Sequence, residues 1–195
     1  MTQFSLFGAE ASAPALPDLD GVLLAGGHWV LHGKQARLSV VVPDRWRADA
    51  LAVAFAERGV DGPEAIGPAE TGFAVRTAFS AELLPDAHRW RRGANEGLPA
   101  GFQLGAGGLR LWAVAAGRQD EAGYLLGTAE ADDTIHRAAG AQLARLGVAA
   151  VSLGVRGGPG WRVTSAKRLR RLVELLGPAP AGGAQHWPSA DAVGA

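Results

Sequence analysis

The segment Asp44 to Val60, DRWRADALAVAFAERGV, lies over Asp132 to Val148, DDTIHRAAGAQLARLGV, at an offset of 88 residues. Asp44 and Asp132 both stand where a helix N-cap belongs, and Gly59 and Gly147 where a glycine just past the C-cap would end that helix. At the same offset, Gly72 to Thr77 (GFAVRT) lies over Gly160 to Ser165 (GWRVTS). Each reads as a short strand with an aromatic residue and a valine on one face. Ahead of the two helices come two more strand-like stretches, Arg37 to Val42 and Tyr124 to Thr128. Three pairs at one offset mark a duplicated unit, and the duplication has to be read before any single element.

Extended upstream, each copy opens on an apolar segment: LDGVLLAGG from Leu19 to Gly27, and LRLWAVAAG from Leu109 to Gly117. Apolar nearly all round, these read as helices buried against a close partner, with room for backbone approach at Gly21, Ala25, Ala113 and Ala116. The predicted order in each copy is helix, strand, strand, helix, strand, strand, helix. The last helix is clear in the second copy, where Leu169, Leu172, Val173 and Leu176 form a stripe. In the first it is short and broken by Pro85.

The repeat, the element order and LDGVLLAGG together resemble the two-repeat LAGLIDADG proteins, the homing-endonuclease fold. Leu19, Gly21, Ala25 and Gly27 match the motif letters, and the second copy keeps Leu109, Ala115 or its neighbour, and Gly117. The ending LLAGG is similar to the degenerate LAGLIDADG-like domain of WhiA-type regulators. The resemblance covers most of Leu19 to Gly177. It implies an α+β fold, a pseudo-two-fold pair of αββαββα repeats with two antiparallel sheets. The predicted divisions are a flexible tail (1–17), a first repeat (18–91), a glycine-rich connector (92–108), a second repeat (109–177) and a disordered C-terminal tail (178–195).

In nucleases of that family each motif helix ends in an acid that binds a catalytic divalent metal, which stabilises charge and activates water. Here the corresponding positions are Gly26 and Ala116, so neither supplies a ligand. Asp20, Asp120 and Glu121 lie nearby and read as solvated surface acids. The five histidines, His28, His32, His88, His136 and His186, show no metal-ligand spacing, and the glycine-rich stretches lack the Lys-Ser/Thr of a phosphate loop. The expectation is a protein with no catalytic residues, metal or cofactor.

The resemblance further implies a saddle of two sheets over double-stranded DNA, with basic side chains at alternate strand positions meeting phosphates. The candidates are Lys34, Arg37, Arg76, Arg118, Arg156 and Arg162. Arg89 and Arg91 join them from the run HRWRRG (His88 to Gly93), a basic patch with an aromatic inside it. Arg168, Arg170 and Arg171 read as the solvated side of the last helix.

The N-terminus, MTQFSLFG, carries the sharpest signal. Glutamine, two residues, then leucine and phenylalanine is similar to the peptide by which bacterial proteins dock on the DNA polymerase sliding clamp. Leu6 and Phe7, with Phe4, would fill an apolar pocket and Gln3 would bond polar groups at its rim. The small-residue stretch Glu10 to Pro17 reads as a tether.

Composition narrows the remaining classes. Hydrophobic residues make up 48% of the 195 and charged residues 19%, which is globular. Nineteen basic residues balance nineteen acidic ones, so no overall field draws the chain to nucleic acid or membrane. Cysteine is absent, which removes disulfides, thiolate metal sites and a cysteine nucleophile. With no membrane span and no secretory leader, the expected location is cytoplasmic. Three functions follow. The first is a non-catalytic replication or repair factor docked on the clamp. The second is a WhiA-like DNA-binding transcription regulator, weakened because no helix-turn-helix follows the repeats. The third is a metal-dependent endonuclease with relocated acids.

Overall fold

The structure, a computed structural model, describes residues 8–9, 12–92, 95–128, 133–154 and 158–189. A 3-10 turn at Leu16–Leu19 leads into α1 (Asp20–Leu24), followed by β1 (His28–His32), β2 (Gln35–Val42), α2 (Arg45–Ala56), β3 (Ile66–Ala69), β4 (Gly72–Arg76) and α3 (Leu84–Arg89). A two-stranded ribbon, β5 (Arg91–Arg92) and β6 (Asn95–Glu96), precedes α4 (Ala106–Ala116). Then come β7 (Gly117–Asp120), β8 (Gly123–Gly127), α5 (Asp133–Arg145), β9 (Val151–Leu153), β10 (Gly160–Val163) and α6 (Ala166–Leu176). The result is α+β, with six α-helices and two four-stranded antiparallel sheets ordered β1-β2-β4-β3 and β7-β8-β10-β9 among the described residues.

The glycines that stop α2 and α5 act alike. Gly59 and Gly147 take left-handed φ of 68° and 80°. In both, the next residue reaches back five positions, Val60 to the Phe55 carbonyl and Val148 to that of Leu143. This closure satisfies carbonyls that a helix end leaves open. The N-cap expectation is corrected in part: Asp44 occupies the N-cap, but its carboxylate accepts from Arg47 Nε at 2.8 Å, not from first-turn amides. Asp132 lies outside the described residues.

The opening helices meet, and they do so at a glycine that the sequence pattern places in the connector. A Cβ on Gly21 would sit 1.8 Å from the Gly108 carbonyl oxygen, so α1 and α4 touch backbone to backbone. The connector boundary is therefore corrected: α4 begins at Ala106, and Phe102 and Leu104 are already buried. α1 in turn stops at Leu24, three residues short of expectation. Gly26 adopts φ 101° there, and Gly27 bonds back to the Val22 carbonyl.

Three further expectations change. Pro85 lies in the first turn of α3, directly after Leu84, instead of breaking it, because that turn needs no amide donor there. On α6 the buried stripe is Leu169, Leu172, Leu175 and Leu176, with Val173 half-exposed. Finally, the C-terminal segment is packed as far as Ser189. Trp187 is 5% exposed and its indole N–H donates to the Gly177 carbonyl at 2.9 Å, while His186 stacks on Trp46. A buried tryptophan outweighs the surrounding Pro, Ala and Gly that suggest disorder. At the other end, Gly8 is already buried, and Arg58 donates to the Ala15 carbonyl at 3.2 Å and to Asp18 at 2.6 Å.

Candidate nucleic-acid interface

Strand register sorts the basic candidates. In the first sheet Leu38, Val40 and Val42 of β2 face the core with Trp29 and Val75. Side chains alternate along a strand, so Arg37, Ser39 and Val41 face the other way, and Arg76, opposite Ser39, joins them. In the second sheet Arg118, Leu125 and Arg162 are aligned across β7, β8 and β10, on the face opposite Tyr124, Leu126 and Val163. Leu125 is only 1% exposed although it stands between the two arginines. Arginine stems can cover apolar surface while the charge stays in water.

These side chains are not equally free. Arg162 donates to Asp120 at 2.7 Å, and the Arg37 guanidinium lies 4.6 Å from the centre of the Phe79 ring. Lys34, in the turn between β1 and β2, with Arg76 and Arg118, has no polar or ring partner among the described residues. Arg156 lies outside them, as do Gln3, Phe4, Leu6 and Phe7.

The HRWRRG patch is corrected. Trp90 is a core residue, 1% exposed, and Arg89 is held by Asp20 at 2.8 and 3.0 Å and by Asp86 at 3.1 Å. Arg91 is exposed and partnered elsewhere. Asp20 is likewise no surface acid. It is 2% exposed and accepts the Trp90 indole N–H at 2.7 Å as well as the Arg89 guanidinium. Burial pushes its carboxyl above the ordinary value, against the lowering pull of Trp90 and Arg89. Asp120 is committed to Arg162 and to the Ala122 amide at 3.0 Å. A long-range ion pair leaves no mark in local sequence, so nothing in the one-letter pattern gives Asp20 its partner.

The helix ends where a metal site would sit are occupied differently. Arg47, on α2 and 4% exposed, donates to the Val114 and Gly117 carbonyls at 2.7 Å each. A guanidinium therefore caps the end of α4, where the helix dipole is negative. Beside it the Tyr124 hydroxyl is buried, with no hydrogen-bond partner among the described residues, and burial pushes its phenol up. Among the described residues no three His, Cys, Asp or Glu side chains gather as a metal-holding group.

One polar cluster has no counterpart in the sequence pattern. His136 lies between Thr128 Oγ1, 3.1 Å from Nδ1, and Ser152 Oγ, 2.8 Å from Nε2, and its ring stacks on Trp161 with centroids 4.8 Å apart. The serine–histidine distance suits proton transfer, but Nδ1 faces a hydroxyl where a hydrolytic triad has a carboxylate to stabilise the imidazolium. The cluster joins α5 to the end of β8 and to the middle of β9. Compared with known protein families and with curated proteins, the chain matches none of either.

Proposed function

We propose that this protein is a non-catalytic factor of DNA replication or repair. It docks on the DNA polymerase sliding clamp through Gln3, Phe4, Leu6 and Phe7, and makes a secondary contact with double-stranded DNA through a degenerate LAGLIDADG-type saddle. The observation that carries this reading is the peptide QFSLF, Gln3 to Phe7. A short linear peptide can be held in a partner's groove through a few anchor side chains.

The saddle reading has its own support. Both halves run αββαββα with the same strand order. The opening helices cross at Gly21 and Gly108, where a pseudo-two-fold axis would pass. Arg76 and Arg118 hold free charges on comparable faces of the two sheets. Catalytic silence is supported by Gly26 and Ala116, which offer no carboxylate, and by the Arg47 guanidinium beside Gly117, whose charge repels a divalent cation. The test is capture of the intact protein on immobilised clamp, with and without Leu6→Ala and Phe7→Ala together, beside incubation of duplex DNA with magnesium or manganese. Capture lost in the double substitution, and uncut DNA, are the expected results. Equal capture of the two proteins would refute docking through this peptide, and metal-dependent cleavage would refute the non-catalytic assignment.

A further inference from the structure

The chain is neutral overall, yet its unpaired cations are unevenly spread. Among the described residues Lys34, Arg76, Arg118, Lys167, Arg168 and Arg170 have no ion-pair, hydrogen-bond or ring partner, and the last three lie on α6. On a helix of 3.6 residues per turn, Lys167, Arg168, Arg170 and Arg171 fall on an arc of about 160° across from Leu169, Leu172 and Leu176, with Leu175, buried near the C-terminal end of the helix, on the Arg168 side of that arc. Glu174 is the one acid of the helix, and it engages Arg171 at 3.3 Å. The arc borders a surface recess of about 820 Å³ that reaches Ser165 and Gly147. Ser165, the N-cap, makes no side-chain bond to the first-turn amides.

We propose that the α6 arc, not the sheet faces, is the main contact for the phosphate backbone of double-stranded DNA. This rests on the DNA-contact half of the reading above and moves the larger share of that contact from the saddle to α6. Three observations select the partner. The apolar face of α6 is buried, with Leu169, Leu172, Leu175 and Leu176 each at most 2% exposed, so no apolar side chain remains to enter a membrane. The arc has cations but no aromatic or aliphatic anchor of the kind that dominates protein–protein interfaces. Exposed, unpaired cations around a recess suit sequence-independent phosphate binding.

The test is a salt-dependent titration of a fluorescent mixed-sequence duplex with the full chain. Lys167→Gln with Arg168→Gln and Arg170→Gln is expected to weaken binding about 10-fold or more at low salt and to lower the salt slope by about 3, near one for each phosphate no longer engaged. Arg76→Gln with Arg118→Gln should weaken it less. Glu174→Gln, which removes the ion pair from Arg171 and leaves it only the bond from Nε to the Leu146 carbonyl, should tighten it, so the proposal does not depend on a loss alone. Binding that survives the α6 substitutions and vanishes with the sheet pair overturns the α6 assignment and leaves the saddle standing. Wild-type protein that fails to bind at low salt overturns both and leaves the clamp reading untouched. Poly-glutamate bound as tightly as the duplex would instead assign the arc to an acidic protein.

Discussion

Arg47 closes α4 at Gly117: its guanidinium donates 2.7 Å to that carbonyl and equally to Val114, while its Nε meets Asp44 at 2.8 Å. One side chain of the first half thus terminates the opening helix of the second. Arg47→Ala would strand two helix-end carbonyls in a buried site. Hydrogen bonds to a charged donor are worth about 1.5–3 kcal/mol each, with part of that recovered by water. A net loss of about 3 kcal/mol is expected by denaturant titration. Arg47→Lys should recover little, since an ammonium cannot reproduce the planar fork that spans two carbonyls.

The approach of Gly21 to Gly108 makes a sharper test of packing. Gly21→Ala would set a methyl carbon 1.8 Å from a carbonyl oxygen, and backbone on both sides would have to move. A loss of about 3 kcal/mol or more is expected, at the upper end for overpacking. Gly59→Ala is the control. Nothing lies within 4 Å of the added carbon, so only the left-handed φ is strained, at about 1–2 kcal/mol. Equal effects would mean that the helices do not cross there.

Asp20 sets a pH dependence of definite sign. Folding makes its carboxyl harder to ionise, so above the ordinary value of 3.8 the folded state binds more protons than the unfolded one. Its contribution to stability is therefore present at low pH and declines as pH rises through the folded value. Asp20→Asn cannot ionise. Across a pH series of urea midpoints, the substituted protein should gain relative to the wild type as pH increases from 3.8. The opposite slope would show the Arg89 ion pair outweighing the cost of burial.

Trp187 tests the ordered C-terminal segment. Its ring is buried, with the Arg110 guanidinium 5.2 Å from the ring centre, and Gln119 donates to its carbonyl. Trp187→Ala is expected to cost about 3 kcal/mol, the usual scale for removing a buried large aromatic. At about 2–4 °C per kcal/mol for a chain of this size, the melting temperature should fall by roughly 6–12 °C. An unchanged melt would restore the disordered tail.

What the sequence carries legibly is local. Gly59 and Gly147 end their helices with the same closure, and the strands around Val40, Val75, Leu126 and Val163 lie where alternation puts them. What it conceals depends on distance in three dimensions. Gly108 looks like linker until α1 crosses it, and nothing local to Arg47 shows that α4 ends against it. Asp20, Arg89 and Trp90 are spread over seventy positions and form one buried cluster. Trp187 sits in a run of proline, alanine and glycine whose composition masks its single large ring. At the candidate interface the alternation places Arg37, Arg76, Arg118 and Arg162 on the faces away from the core, but it cannot tell that Asp120 already holds Arg162.

The most direct test of the central claim is a calorimetric titration of the sliding clamp with the intact protein and with its Leu6→Ala, Phe7→Ala variant, alongside both melting temperatures. Two apolar anchors worth roughly 1.5–3 kcal/mol each contribute about 3–6 kcal/mol, and the entropy of ordering a short peptide then limits the expected affinity to tens of micromolar or weaker. The account requires that affinity in the wild type, a weaker one in Gln3→Ala, none in the double variant, and melting temperatures that coincide. No heat of binding from the wild type, with a double variant that melts several degrees lower, would show that these side chains belong to the protein's own core and would contradict clamp docking.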